Sequence, residues 1–138
     1  MSAALEYAIQ VLKVENIVVL GHSYCGGIEA LMNGNSEKFP FIGPWYLFTN
    51  KRMNIVKDAK ARTLKHFGTQ PFTEQCRACE YASILQSLEN LVSYPWIKEK
   101  LVSGDVSLTG WFFDFEKGVL MGYNPSTFKF ESLVDESI

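Results

Sequence analysis

Residues 16–27 read NIVVLGHSYCGG. The run Ile17–Leu20 is aliphatic throughout and bounded by Asn16 and Gly21, the pattern of a strand covered on both faces, as in parallel sheets. It leads straight into His22, then Cys25, then the glycine pair Gly26 and Gly27. Ligands of open parallel sheets bind beyond the carboxyl ends of the strands, which is where His22 and Cys25 fall. On one tight turn, an imidazole nitrogen and a thiolate can reach a shared tetrahedral ion at about 2.0–2.3 Å. Two bare glycines opening a helix turn backbone N–H groups toward the same place, lowering a thiol pKa and favouring an anion. The stretch predicts half of a zinc site with an anion-receptive floor. The alternative is a buried cysteine and a capped histidine at a strand end.

Outward from this strand, Leu5, Ala8, Ile9 and Leu12 follow helical spacing, predicting a helix over 3–13 with Ser2 as its N-cap. Residues 26–33 predict a helix ended by NGNS, and 51–66 another, stopped by Gly68 and Pro71. Ala78, Ala82, Leu85, Leu88 and Leu91 share one face of a helix running from Glu74 to Val92. The Tyr94-Pro95 step breaks it, and a short helix follows over 95–102. Residues 107–115 and 119–124 read as two strands joined by a turn, and the polar tail from Pro125 as irregular. The order α-β-α-α-α-α-β-β predicts an α/β fold with a partly parallel β-sheet flanked by helices, in one domain over 1–138. Only two further strands are then available to flank 16–21. A hydrophobic parallel strand left on an edge is an aggregation hazard, so the sheet reads as incomplete.

The balance of 13 basic against 15 acidic residues, without a basic run, argues against a nucleic-acid partner. No apolar stretch approaches the roughly 20 residues that cross a bilayer, and no signal peptide is visible at the N-terminus. Three cysteines, two of them in Cys76-x-x-Cys79, fit thiol or metal chemistry in a reducing compartment better than a disulfide framework. Cytoplasm is the expectation, with a lost targeting segment as the alternative.

The block SAALEYAIQVLKVENIVVLGHSYCGGIEALM (2–32) resembles the central block of the β-class carbonic anhydrases. QCRACEYASILQSLENLVSYPWIKEKLVSGDVSLTGWFFDFEKGVLMGY (75–123) resembles the rest of that family's C-terminal half, in its plant-type branch. The resemblance implies a β-carbonic-anhydrase-like fold, zinc (Zn2+) held by two cysteines and a histidine, a dimer or higher homo-oligomer, and reversible hydration of carbon dioxide to bicarbonate by zinc-bound hydroxide. Related small molecules such as carbon disulfide are the neighbouring substrate class. By the same resemblance His22 and Cys25 fall on two zinc ligands, Gly26 and Gly27 on the glycines beside the metal, and Tyr7 on a tyrosine of the substrate pocket. Read by itself, Tyr7 is a helix aromatic packing on the sheet.

The family's Cys-x-Asp-x-Arg segment, which supplies the remaining ligand and an Asp–Arg pair, has no counterpart in this sequence. The expectation is therefore a chain truncated on its N-terminal side, with little or no hydration activity alone. Residues 46–52, after Trp45, read as an insertion relative to the family. A different class of reading joins His22 and Cys25 to Cys76 and Cys79 as a Cys3His set, the composition of a closed structural zinc site in a non-catalytic, partner-dependent module. Otherwise the cysteine pair reads as partly buried or redox-responsive thiols. His66 reads as a solvated residue at a helix end, and Glu80 and Glu89 as helix-surface or capping groups. Lys57, Lys60, Arg62 and Lys65 read as a solvated basic face, and the GWFFDF aromatics as strand core or dimer surface.

Overall fold

The computed structural model describes residues 2–34, 38–40 and 55–134. Trp45, the apparent insertion at 46–52, the first residues of the helix expected over 51–66 and the side chain of Lys57 lie outside that description.

The chain begins with α1 (Ser2–Glu6), which widens into a π-helical segment, Tyr7–Val11. There Leu12 N–H donates to the Tyr7 carbonyl at 3.0 Å, a five-residue reach instead of four. Ser2 lies inside this helix, and its hydroxyl is 3.0 Å from that of Tyr94. Strand β1 (Asn16–His22) follows, then α2 (Gly26–Met32), α3 (Ile55–Phe67), α4 (Phe72–Val92) and α5 (Pro95–Ser103). Pro95 opens α5 at a position where its missing N–H costs nothing. Gly104 closes it at φ 78°, with Asp105 and Val106 N–H returning to the Lys100 carbonyl. Strands β2 (Ser107–Asp114), β3 (Val119–Asn124) and β4 (Lys129–Ser132) complete the described chain.

The sheet order is β1-β2-β3-β4. β1 and β2 run parallel from Asn16↔Ser107 to His22↔Phe113, and the remaining pairs are antiparallel. β1 is therefore an edge strand among the described residues. The tail is not irregular, however. Phe130 of β4 stacks on Tyr81 at 4.6 Å, so one aromatic anchors a strand whose other residues are polar.

The expectation that β1 is covered on both faces is corrected. α4 lies on one face, where Ile84 sits so close to the strands that a Cβ on Gly21 or Gly110 would approach it to within 2.8 Å. Phe112 of β2 is fully buried on that face beside Tyr81. The opposite face carries Val18 and Leu20, 41% and 62% exposed. Trp111, the register partner of Leu20, is only half-buried, as are Phe113, the partner of His22, and Leu120 beyond it. A second apolar cluster, Ile9, Ile17, Ile97 and Val106, ties the N-terminal helix to α5 and the start of the sheet.

Candidate metal centre

Parallel pairing brings the ends of β1 and β2 side by side, and the chain leaves β1 through Ser23, Tyr24 and Cys25. Ser23 is fully buried. Its N–H donates to the Phe113 carbonyl at 2.9 Å, and its hydroxyl accepts the Phe115 N–H at 2.8 Å. The turn is thereby fastened to the end of β2. Tyr24 adopts the left-handed region at φ 52°, uncommon for a bulky residue. Its hydroxyl donates to Glu116 at 2.9 Å, which raises the Tyr24 pKa.

His22 is exposed, with its ring edge-on to Phe115 at 5.4 Å. Its Nδ1 lies 2.8 Å from the Ser23 carbonyl, an acceptor only, so this nitrogen carries the proton. In the neutral ring this bond assigns the lone pair to Nε2, the tautomer a metal ligand needs. Cys25 follows on the same turn as the N-cap of α2. Its thiol is free and half-buried, packed against the cluster of Ile28, Leu31, Ala59, Cys79 and Ala82. The chemistry of these two donors fits a zinc ion. Among the described residues, however, no group of three or more His, Cys, Asp or Glu side chains is placed to hold one.

The Cys3His arrangement is accordingly not assembled. Cys79 is fully buried, and burial pushes its thiol up to about 11, away from the thiolate a zinc ligand must be. Burial, with Glu29 and Glu80 nearby, also raises Cys76. The anion-receptive floor is likewise smaller than expected. α2 has only seven residues, and the Cys25 N–H is already accepted by the Glu80 carboxylate at 3.0 Å. Gly26 is exposed, and a Cβ there would meet nothing within 4 Å. Gly27 is half-buried behind it. Tyr7, 55% exposed at the start of the π-helical segment, does not bury its ring on the sheet.

Of the two readings of Glu80, helix surface or cap, the first is corrected: it is 4% exposed, and it serves as a cap by accepting the Cys25 N–H. Arg77 pairs with it through Nε at 3.1 Å and with Asp114 through Nη1 at 3.3 Å. Burial raises the Glu80 carboxyl, opposed by the Cys25 N–H and by Arg77. Burial also pushes Asp114 up, but the N–H groups of Lys117 and Glu116 and the Arg77 charge outweigh it and hold Asp114 below its ordinary value. Glu89 and His66 are on the surface as expected, Glu89 paired with Arg62 at 3.1 Å. Lys60 departs from a purely solvated face, donating to the Leu31 carbonyl at the end of α2.

With this geometry in hand, the likenesses to known proteins are informative. The family model described as carbonic anhydrase matches residues 1–120. The chain is 44% identical over 115 residues to beta carbonic anhydrase 5, chloroplastic, of Arabidopsis thaliana, covering 82% of this chain and 36% of that protein. It is 41% identical over 122 residues to beta carbonic anhydrase 3 of the same plant, covering 86% and 45%. A carbonic anhydrase of Synechocystis sp. is 36% identical over 124 residues, covering 88% and 43%. The chain thus spans less than half the length of these curated relatives. Among solved structures, the β-carbonic anhydrase CcaA superposes with a TM-score of 0.81 at 30% identity, covering 95% of this chain and 61% of that one. One of the tetrameric β-carbonic anhydrases of Sordaria macrospora superposes at 0.72 with 24% identity, over 88% and 58%, a likeness of fold. The chain belongs to the carbonic anhydrase family, in its β class.

Proposed function

We propose that this chain contributes His22 and Cys25 to a zinc site that catalyses the reversible hydration of carbon dioxide. The observation that carries the reading is the state of His22, an exposed residue whose Nδ1 is engaged by the Ser23 carbonyl, which leaves Nε2 as the nitrogen for a metal, three residues from a free thiol. Zinc, when bound, would supply a water acidified into the neutral range, to about 7. The chain's own residues do the rest of the local work. Ser23 locks the turn to β2, Phe115 fixes the imidazole plane, and the open space over the Gly26 backbone admits a small substrate. Gly26, Gly27 and Tyr7 form the substrate side of the site in this reading.

Two donors do not make a zinc site, so the remainder comes from outside the described residues. The open edge of β1 supports a further strand pairing there, next to His22. The largely apolar face of Val18, Leu20, Trp111 and Phe113 supports a homo-oligomer, since exposed apolar surface of this kind marks association sites. Three free thiols support a reducing compartment such as the cytoplasm, and no described helix is long and apolar enough to cross a membrane.

Stopped-flow carbon dioxide hydration, with zinc analysis of the same samples, tests the reading. The 138-residue chain alone is expected to hold substoichiometric zinc and turn over weakly. Joined to a segment that supplies a third donor, it is expected to hold one zinc and hydrate carbon dioxide. Robust turnover by the chain alone at one zinc each contradicts the shared-site arrangement. Inactivity of the joined, zinc-loaded protein contradicts the function.

A further inference from the structure

A buried carboxylate stands directly behind the candidate metal loop. Glu80 Oε1 accepts the Cys25 backbone N–H at 3.0 Å, and Oε2 is paired with Arg77 Nε at 3.1 Å. Arg77 is itself held from three sides. Its Nη1 reaches Asp114 at 3.3 Å, and its guanidinium carbon lies 5.2 Å from the Phe112 ring centre and 5.8 Å from that of Tyr24. Asp114 in turn accepts the Glu116 N–H at 3.0 Å and the Lys117 N–H at 3.3 Å through Oδ1. One chain of charge-assisted contacts therefore links the backbone of the candidate ligand to α4 and to the end of β2.

Burying a carboxylate is expensive even when it is paired, and capping a single N–H does not require one. A glutamate or glutamine at N3 of the same helix provides that locally. Here N3 of α2 is Ile28, which offers no side-chain acceptor, and the acceptor for the Cys25 N–H is brought from a helix 55 positions away. The bond fixes the backbone at φ −71°, ψ 108°, and hence the direction in which Cβ and the thiol leave it. Groups that hold ligands in place around metal sites matter nearly as much as the ligands, their loss costing about 10–100-fold in metal affinity.

We propose that Glu80, braced by Arg77, is a positioning residue for the Cys25 thiol, aiming it at the metal through the backbone hydrogen bond. The inference rests on Cys25 being a metal ligand and adds the group that orients it.

Cobalt(II) titration of the chain, followed through the thiolate-to-cobalt charge-transfer band, reads this without any catalytic assay. Cys25→Ser identifies the band by abolishing it. Glu80→Ala is expected to weaken cobalt binding by about tenfold or more and to shift the band. Glu80→Gln keeps an acceptor for the N–H, and is expected to stay within about threefold of the wild type with an unshifted band. A purely structural role would lower thermal stability in both variants without moving the band. An Ala variant that binds cobalt with unchanged affinity and spectrum overturns the inference alone. Absence of any thiolate band in the wild type even at cobalt in excess large enough to load a two-donor site overturns the metal reading and the inference with it. Should the Ala variant fail to fold, the Gln variant decides through amide exchange. A protected Cys25 N–H with an unchanged band supports the inference, and an unprotected N–H beside an unchanged band overturns it.

Discussion

A histidine offers a metal only one of its two nitrogens, and which one is set by what the other is bonded to. At His22 that choice is made by the Ser23 carbonyl. The candidate donors were legible in the sequence because both flank the exit of an unusually apolar strand and a glycine pair follows at once, of which Gly26 meets no packing demand in the fold. Glu80 was not legible. Its partner Arg77 is three residues away on the same helix, but Asp114 and the Cys25 N–H arrive from distant segments. The i,i+3 spacing of Arg77 and Glu80 is a sequence signal that points toward the pair. Asp114 gives this network a measurable pH dependence. Its carboxyl is held below its ordinary value of 3.8, so its contribution to stability is complete above that pH and is lost as pH falls through the lowered value. Asp114→Asn keeps the acceptor for the Glu116 and Lys117 N–H groups but loses the charge facing Arg77. Urea melts are expected to show the variant less stable than the wild type by about 1 kcal/mol at neutral pH. The gap should close as pH falls from 3.8 through the lowered value. A gap that persists unchanged into acid contradicts the assignment.

At the scale of elements, the sheet and its long helix meet through glycine. Ile84 of α4 occupies the space a side chain at Gly21 or Gly110 would take, and a Cβ at Gly110 would also meet Leu88 at 3.0 Å. Gly110→Val is therefore expected to destabilise the fold by about 1–3 kcal/mol, because a packed interior cannot absorb the added volume without strain. A chemical denaturation midpoint equal to that of the wild type would show that α4 sits farther from the sheet than described. The helical elements were readable because their apolar positions recur with helical spacing and Gly or Pro marks their ends. Strand β4 was not, since Phe130 alone points its short run inward and the turn before it is built from polar contacts, Ser126 N–H to Asn124 and Thr127 to Glu131. The two-sided burial expected of β1 also failed. An uninterrupted aliphatic run reports how apolar a strand is, not whether the cover for its second face belongs to the same described residues.

For the molecule as a whole, the open edge and the apolar face of β1 lie on the strand that ends at His22, so the part of the fold most in need of a neighbour adjoins the part with an incomplete donor set. A shortage of strands was foreseeable by counting; the exposure of Val18 and Leu20 was not. The account stands on His22 and Cys25 acting together on one ion, without Cys76. Calorimetric zinc titration of the wild type, His22→Ala, Cys25→Ser and Cys76→Ser measures this directly. Loss of affinity by about tenfold or more in each of the first two variants, with Cys76→Ser unchanged, is the predicted result. Zinc binding that survives both the His22 and Cys25 substitutions, or that disappears with Cys76, contradicts the account.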